Sequence, residues 1–331
     1  MTLLLSVEDL ATHFLLDEGE LRAVDGVSFD VRAGETVAIV GESGCGKTIV
    51  ALSLLRLVQW PGRIMHGKVW FNGENLLTVS TERLRQVRGG EIGLVFQEPG
   101  ASLNPVFTVG AQLVEVLRLH RRLSQPDARR EALRLLDDVG IPEPEKRFGS
   151  YPFELSGGMR QRVAIALAIS GRPKLLIADE PTTALDVTVQ AEILKLLRRI
   201  QSKYGMAILI ISHDIGVVAT IAERVLVMYT GRIVEEAPAA ALFQKPKHPY
   251  TRGLLASAPR LGTGRDTPLR GIPGSVPDLL ALPSGCTFHP RCPIGDEGCT
   301  TIFPPLIELD AVRRCACYKV APVSTGAELC K

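Results

Sequence analysis

The sequence predicts an α/β fold: a parallel sheet flanked by helices, an antiparallel β part at the N-terminal end and an irregular appendage at the C-terminal end. Three observations predict it. A short β-rich run, residues 37–40, passes through a glycine-rich loop into a helix-like stretch, 49–57. A second apolar run, 174–178, ends in two carboxylates, as a strand buried on both faces of a parallel sheet does. Beyond Glu236 the text turns rich in proline and glycine and then in cysteine, which marks a change of structural class.

The elements follow in chain order. Residues 3–7, 24–31 and 68–71, the last closed by an Asn72-Gly73 turn, read as the antiparallel part. The parallel core alternates strands at 36–40, 92–96, 174–178, 207–211 and 224–228 with helices such as 189–201. Helices inserted over about 109–170 separate the second core strand from the third. The chain's 331 residues exceed an ordinary compact unit of about 150 and allow one large domain, 1–236, plus an extension, 237–331.

Composition excludes several classes. The 38 basic and 36 acidic residues nearly cancel, so the basic excess of a nucleic-acid binder is missing. No run approaches the roughly 18 consecutive apolar residues of a membrane span. The apolar stretch 1–7 has no basic flank of a signal peptide and meets Glu8 and Asp9 at once, so the chain is expected in the cytosol.

The glycine-rich loop reads Gly41-Glu42-Ser43-Gly44-Cys45-Gly46-Lys47-Thr48, the G-x-x-x-x-G-K-[ST] pattern in its required strand-loop-helix context. Glycines let the backbone wrap phosphates closely, and the following helix N-terminus adds partial positive charge. Lys47 is expected to reach the β- and γ-phosphates and the Thr48 hydroxyl to ligate Mg²⁺. The carboxylates after 174–178 complete the pattern: Asp179 on the metal side, Glu180 as general base for the attacking water. Cys45 holds a variable loop position and reads as a small filler.

Further motifs lie in between and beyond. Leu155-Ser156-Gly157-Gly158-Met159-Arg160-Gln161-Arg162 opens a helical stretch, Gln97 follows Gly93-Leu94-Val95-Phe96, Pro181-Thr182-Thr183-Ala184-Leu185-Asp186 follows the carboxylates, and Ile211-Ser212-His213-Asp214 comes last. Together with the phosphate loop, this set, in this order over 41–213, resembles the ATP-binding subunits of ABC transporters. The resemblance implies a P-loop NTPase core of RecA-like type, an antiparallel β subdomain and a helical signature subdomain, with ATP and Mg²⁺ as cofactors. It implies that Ser156, Gly157 and Gly158, at a helix start, close over the γ-phosphate held by an opposite subunit in a head-to-tail dimer. It makes Gln97 the γ-phosphate and Mg²⁺ sensor, His213 the switch that holds the γ-phosphate and the water in line with Glu180, and Asp186 the coupler of the two sites. Phe14 is the candidate adenine-stacking platform, with a plain core role as the alternative. Met159 replaces the commonest Gln of the signature, as is usual in the peptide-transporting branch.

Two stretches narrow the branch. Gln97-Glu98-Pro99-Gly100-Ala101-Ser102-Leu103-Asn104-Pro105 with Thr108-Val109-Gly110, and later Lys247-His248-Pro249-Tyr250-Thr251-Arg252, resemble the oligopeptide, dipeptide and nickel importer ATPases. That branch implies a second ATPase subunit, two transmembrane permeases and an extracytoplasmic solute-binding protein as partners, on the cytoplasmic face of the membrane. Peptides are the first expected cargo and nickel the second. A non-transport ABC ATPase would show a long coiled-coil insertion or tandem motif sets, and this chain has one set and no heptad run.

Cysteine usage sets the tail apart. Cys45 stands alone in the first 285 residues, whereas Cys286, Cys292, Cys299, Cys315, Cys317 and Cys330 fall in the last 46. The C-x2-C knuckles of a zinc ribbon are absent, and four thiolates suit iron–sulfur or zinc. The tail resembles the segment that holds a four-iron, four-sulfur (4Fe-4S) cluster in some peptide-importer ATPases. That resemblance implies Cys286, Cys292, Cys299 and Cys317 as ligands, with Cys315 the rival for the fourth place. His289 is expected to shape the loop and Cys330 to be a free terminal thiol.

Overall fold

The structure, a computed structural model, describes residues 2–98, 102–183, 185–257 and 271–320. Cys330, Ala184 and the Pro99-Gly100-Ala101 part of the stretch after Gln97 lie outside the described residues.

The antiparallel layer is larger than its sequence signal. Strands β1 (Leu3–Leu16) and β2 (Gly19–Arg32) pair along nearly their whole length, and β4 (Gly62–Phe71) joins the other edge of β1. Bulges explain why only 3–7 and 24–31 were legible. The pairing shifts register between Val7 and Leu10 and again around Thr12, with Asp9 at φ +48°, so the two-residue alternation breaks mid-strand. At the end of β4, Asn72 and Gly73 take φ +50° and +83°, the left-handed pair of a tight hairpin, which returns the chain into β5 (Glu74–Asn75).

The second sheet carries the site. Its parallel part runs β9 (Arg224–Tyr229), β3 (Thr36–Val40), β8 (Ala207–Ser212), β7 (Leu175–Asp179) and β6 (Ile92–Val95). Alternate residues of each strand serve two cores. Ala38 and Val40 face the layer that includes the helices Val109–Arg121, Gln125–Asp138 and Gly157–Ile169, whereas Val37 and Ile39 face the antiparallel sheet and the helix Lys47–Leu54. Being buried on both sides, these strands read as unbroken apolar runs. The helices Val109–Arg121, Gln125–Asp138 and Gly157–Ile169 of the insertion are capped by Thr108, Ser124 and Ser156, whose side chains accept N–H groups of Ala111, Asp127 and Met159.

The tail is stitched into this sheet. β10 (Arg232–Pro238) folds back antiparallel on β9, and β12 (Arg313–Cys315) and β11 (Ile307–Asp310) extend the sheet beyond it. The boundary expected at 236/237 therefore falls within β10. The helices Ala239–Gln244 and Pro249–Ser257 follow, so the tail is more regular than its proline- and glycine-rich text implies. The edge strands were illegible because they are three or four residues long and their charged side chains make ion pairs instead of an apolar face.

Candidate active site

The phosphate loop leaves the carboxyl end of β3, between the two cores. Its glycines are dictated by close approach: a Cβ on Gly41 would sit 2.2 Å from the Met228 carbonyl oxygen, and one on Gly46, at φ +101°, 1.9 Å from that of Ala23. The helix Lys47–Leu54 starts at Gly46 with no side chain capping it, so its first N–H groups face the loop's concavity, as an anion site requires. Lys47 is buried, with Nζ donating to the carbonyls of Gly41 and Glu42 at 2.9 Å each. Cys45 is 1% exposed, and burial pushes its thiol up further than nearby Lys47 pulls it down, so it stays protonated as a filler.

Opposite the loop, the end of β7 presents the two carboxylates. Thr48 Oγ1 donates to Asp179 Oδ1 at 3.3 Å; burial is the main reason Asp179 is raised to about 6, aided by the negative Glu180 beside it. Glu180 lies in the left-handed region at φ +46°, unusual for a non-glycine residue, and its N–H is held by the Ile211 carbonyl at 2.9 Å. Its carboxylate gathers three partners: Gln97 Nε2 at 2.9 Å, Thr183 Oγ1 at 2.8 Å and His213 Nδ1 at 3.1 Å. Burial alone would raise this carboxyl, but the hydrogen bonds from His213 and Thr183 outweigh it and hold the group below the usual range. The arrangement places a carboxylate, oriented by three partners and held below the usual range, beside the concavity of the glycine-rich loop.

These residues line one cleft of about 650 Å³ that Ser43, Gly44, Gly46, Lys47, Thr48, Gln97, Glu180 and His213 share with Phe14. The Phe14 ring packs so closely on Gly62 that a Cβ there would come within 2.8 Å of it, so the residue both lines the cleft and packs. The signature lies outside the cleft. Ser156 caps the helix Gly157–Ile169, and Asp186 caps the helix Val187–Tyr204 by accepting the Val189 N–H at 3.0 Å. Gly157 and Gly158 begin the signature helix, and a Cβ on Gly158 would press on Val189 at 2.9 Å.

Several contacts had no sequence signal strong enough to find them. Thr183, inside a motif already singled out, donates to the Glu180 carboxylate at 2.8 Å. Tyr250, read only as a family marker, accepts the Glu42 N–H through its hydroxyl at 2.9 Å. Arg291, within the cysteine-rich text, forms a two-pronged pair with the Glu42 carboxylate at 2.8 and 3.0 Å. Leu279 of the tail lines the same cleft as Phe14.

Cys286, Cys292, Cys299 and Cys317 are partly buried free thiols. The Cys286 N–H donates to the Cys299 carbonyl at 2.8 Å, and the Cys286 thiol is pushed up to about 11 by burial and then by the charges of Cys299, Cys317 and Cys292. Cys315 is fully buried. Burial raises its thiol most, and Glu235 raises it next. His289 turns its Nδ1 to the Cys286 carbonyl at 2.9 Å, a loop-shaping contact. Among the described residues no three His, Cys, Asp or Glu side chains are gathered closely enough to hold a metal ion, so the cluster expected on these cysteines is not shown.

A phosphate loop, a strand-end carboxylate pair and a signature helix on a parallel sheet define an ATPase of the ABC type. A family model described as ABC transporter matches residues 24–183, and one described as oligopeptide/dipeptide transporter, C-terminal region, matches 234–299. The dipeptide transport ATP-binding protein DppD of Escherichia coli is 45% identical over 315 residues, covering 95% of this chain and 96% of its own. The oligopeptide transport ATP-binding protein OppD of the same organism is 50% identical over 316 residues, covering 96% and 93%. Among solved structures, a bacterial ABC transporter cassette in dimeric form superposes with a TM-score of 0.64 at 28% identity, over 71% of this chain and 98% of the cassette. The chain belongs to the ATP-binding subunits of ABC transporters, in the oligopeptide/dipeptide branch, and is an ATPase.

Proposed function

We propose that this chain is the motor of a peptide importer, converting ATP binding and hydrolysis into uptake of dipeptides or oligopeptides. The relatives' transport of peptides supports the cargo. The observation that carries the chemistry is the Glu180 carboxylate, held by Gln97, Thr183 and His213 beside Lys47.

The loop N–H groups and Lys47 bind the phosphates of ATP. Thr48 and Asp179, with Gln97 near them, offer the hard oxygen donors that suit Mg²⁺, which when bound neutralises phosphate charge. Glu180 takes a proton from water as its oxygen attacks the γ-phosphorus; the bond to the β–γ bridging oxygen breaks, and ADP leaves with that oxygen. His213 and Gln97 orient Glu180 and the water. Ser156, Gly157 and Gly158 act on a second ATPase subunit, with Asp186 linking the two sites, which agrees with their position outside this chain's own cleft. Among the described residues no helix is long and apolar enough to cross a membrane, and attachment to the cytoplasmic face falls to the two permeases. The exposed Trp60, Phe96, Val106 and Phe107 flank the Gln97 stretch where a permease would dock. An extracytoplasmic solute-binding protein delivers the peptide.

The tail chemistry extends the proposal. Cys286, Cys292, Cys299 and Cys317 are partly buried thiols, whereas Cys315 is fully buried on β12 opposite Glu235 of β10. The donor chemistry of an all-thiol set suits a 4Fe-4S cluster, with Cys317 rather than Cys315 as fourth ligand, but the thiols would have to draw closer together to hold it; the cluster would supply folding free energy to a segment with little core. Iron and sulfide near four each in anaerobically purified protein, lost in Cys317→Ser and kept in Cys315→Ser, are the expected result; zinc or no metal would refute it.

Glu180→Gln tests the motor. The assembled complex should bind ATP, hold it in a closed dimer on gel filtration and lose at least about a hundredfold in phosphate release. Undiminished hydrolysis would remove Glu180 from the role of base.

A further inference from the structure

The cysteine-rich tail and the phosphate loop are joined by a partly buried ion pair, Arg291 buried and Glu42 half-buried. We propose that Arg291 is a positioning residue for ATP binding, bracing the phosphate loop through Glu42 from within the tail.

Every polar group of Glu42 is committed. Its carboxylate takes both prongs of the Arg291 guanidinium, at 2.8 and 3.0 Å, its N–H goes to the Tyr250 hydroxyl at 2.9 Å, and its carbonyl accepts Lys47 Nζ at 2.9 Å. Residue 42 is thus the joint between the tail and the lysine that meets the phosphates. Arg291 is itself immobilised: it is 7% exposed, its Nε donates to the Pro273 carbonyl at 2.9 Å, and its guanidinium lies 6.0 Å from the Tyr229 ring. Behind it Tyr229, Tyr250 and Phe288 pack as an aromatic cluster with centroids 4.5 to 5.5 Å apart. A bidentate, charge-assisted pair with so little freedom fixes direction as well as distance, which a packing contact does not.

The placement explains a choice the fold does not force. Position 42 is one of the four unconstrained positions of the loop pattern, yet it carries a carboxylate of the wrong sign for a phosphate site. Arg291 offsets that charge and holds a side chain that is not among those lining the cleft. The tail also reaches the cleft itself, where Leu279 lies with Phe14 and Leu21.

The test measures Mg²⁺-ATP affinity of the purified full chain by calorimetry, and KM and kcat of the assembled complex. Arg291→Met should weaken ATP binding about tenfold by leaving the Glu42 carboxylate unpaired at the loop, with KM rising in step and kcat within about twofold. Arg291→Lys, which keeps the charge and loses the second prong, should fall between Arg291→Met and wild type. Glu42→Gln in the Arg291→Met background should add no further loss, because both changes break one pair. Tyr250→Phe, which deletes a single hydroxyl, is the gentler probe should the arginine variants fold poorly, and should weaken ATP severalfold. Wild-type affinity in folded Arg291→Met and Tyr250→Phe would overturn the proposal. So would a lower melting temperature with ATP affinity unchanged, which is what a merely structural contact gives. Absence of ATP binding by the wild type would strike at the ATPase assignment instead, so the two failures are distinguishable.

Discussion

Glu180 illustrates what single residues do and do not disclose. Its identity and place after an apolar run were legible because a strand-end carboxylate pair is a linear pattern. Its left-handed φ of +46° and its three-partner cage are not linear, since Gln97 and His213 arrive from other strand ends. Thr183 is the informative member: its hydroxyl helps hold the carboxyl below the usual range against burial, which pushes it up. Deleting that donor in Thr183→Val should let the Glu180 pKa rise. The base proposed for Glu180 works when ionised, so on that proposal the acid limb of kcat should move to higher pH and kcat near the limb should fall severalfold. A pH–rate profile unchanged from wild type would mean that the hydroxyl does not tune the base. Arg291 is the opposite case. No motif holds it, and only the fold, bringing residue 291 to residue 42, reveals it.

Among elements, the buried parallel strands were placed to within a residue or two because burial on both faces writes an unbroken apolar run. The bulged β1 and the charged edge strands were not, because neither keeps the two-residue alternation. The edge is held by ions. Arg224 on β9 reaches Glu35 at 2.8 Å, Glu236 on β10 at 2.5 Å and Asp30 on β2 at 3.2 Å, while Arg314 of β12 pairs with the same Glu236. Glu35 and Glu236 are 7% and 5% exposed, too buried to stand ionised alone. Arg224→Met should therefore cost about 3 kcal/mol, read as a lower urea midpoint with the slope unchanged, because it strands buried carboxylates. A loss below about 1 kcal/mol would class the cluster with exposed surface pairs.

At the scale of the whole molecule, the Lys247–Arg252 stretch links the phosphate loop, through Tyr250 and Glu42, and β10, through Glu235, to the cysteine-bearing segment, and that junction should be sensitive to acid. His248 is 2% exposed; Nδ1 accepts the Tyr250 N–H at 3.1 Å, its ring lies 5.9 Å from Phe288, and it hydrogen-bonds the backbone of Ala316 between two tail cysteines. Burial is the main cause of its pKa falling to about 4, and the positive Arg252 adds to it. The usual value is 6.5, so the unfolded chain binds the proton first. Above pH 6.5 both states are neutral at this residue and stability is unaffected. Between pH 6.5 and 4 stability drains away, by about 3 kcal/mol in all at 1.36 kcal/mol per unit. His248→Asn offers an amide oxygen where Nδ1 accepted and cannot take up charge, so its stability should fall less over that window. Urea unfolding of both proteins at pH 7.0 and 4.5 isolates the residue, since every other titrating group is common to the two. Equal losses would show that His248 is not the acid-sensitive joint. A smaller loss in the variant, accompanied by better retention of ATP affinity at pH 5, would tie the joint to the loop, because Tyr250 carries both the N–H that His248 accepts and the hydroxyl that holds Glu42.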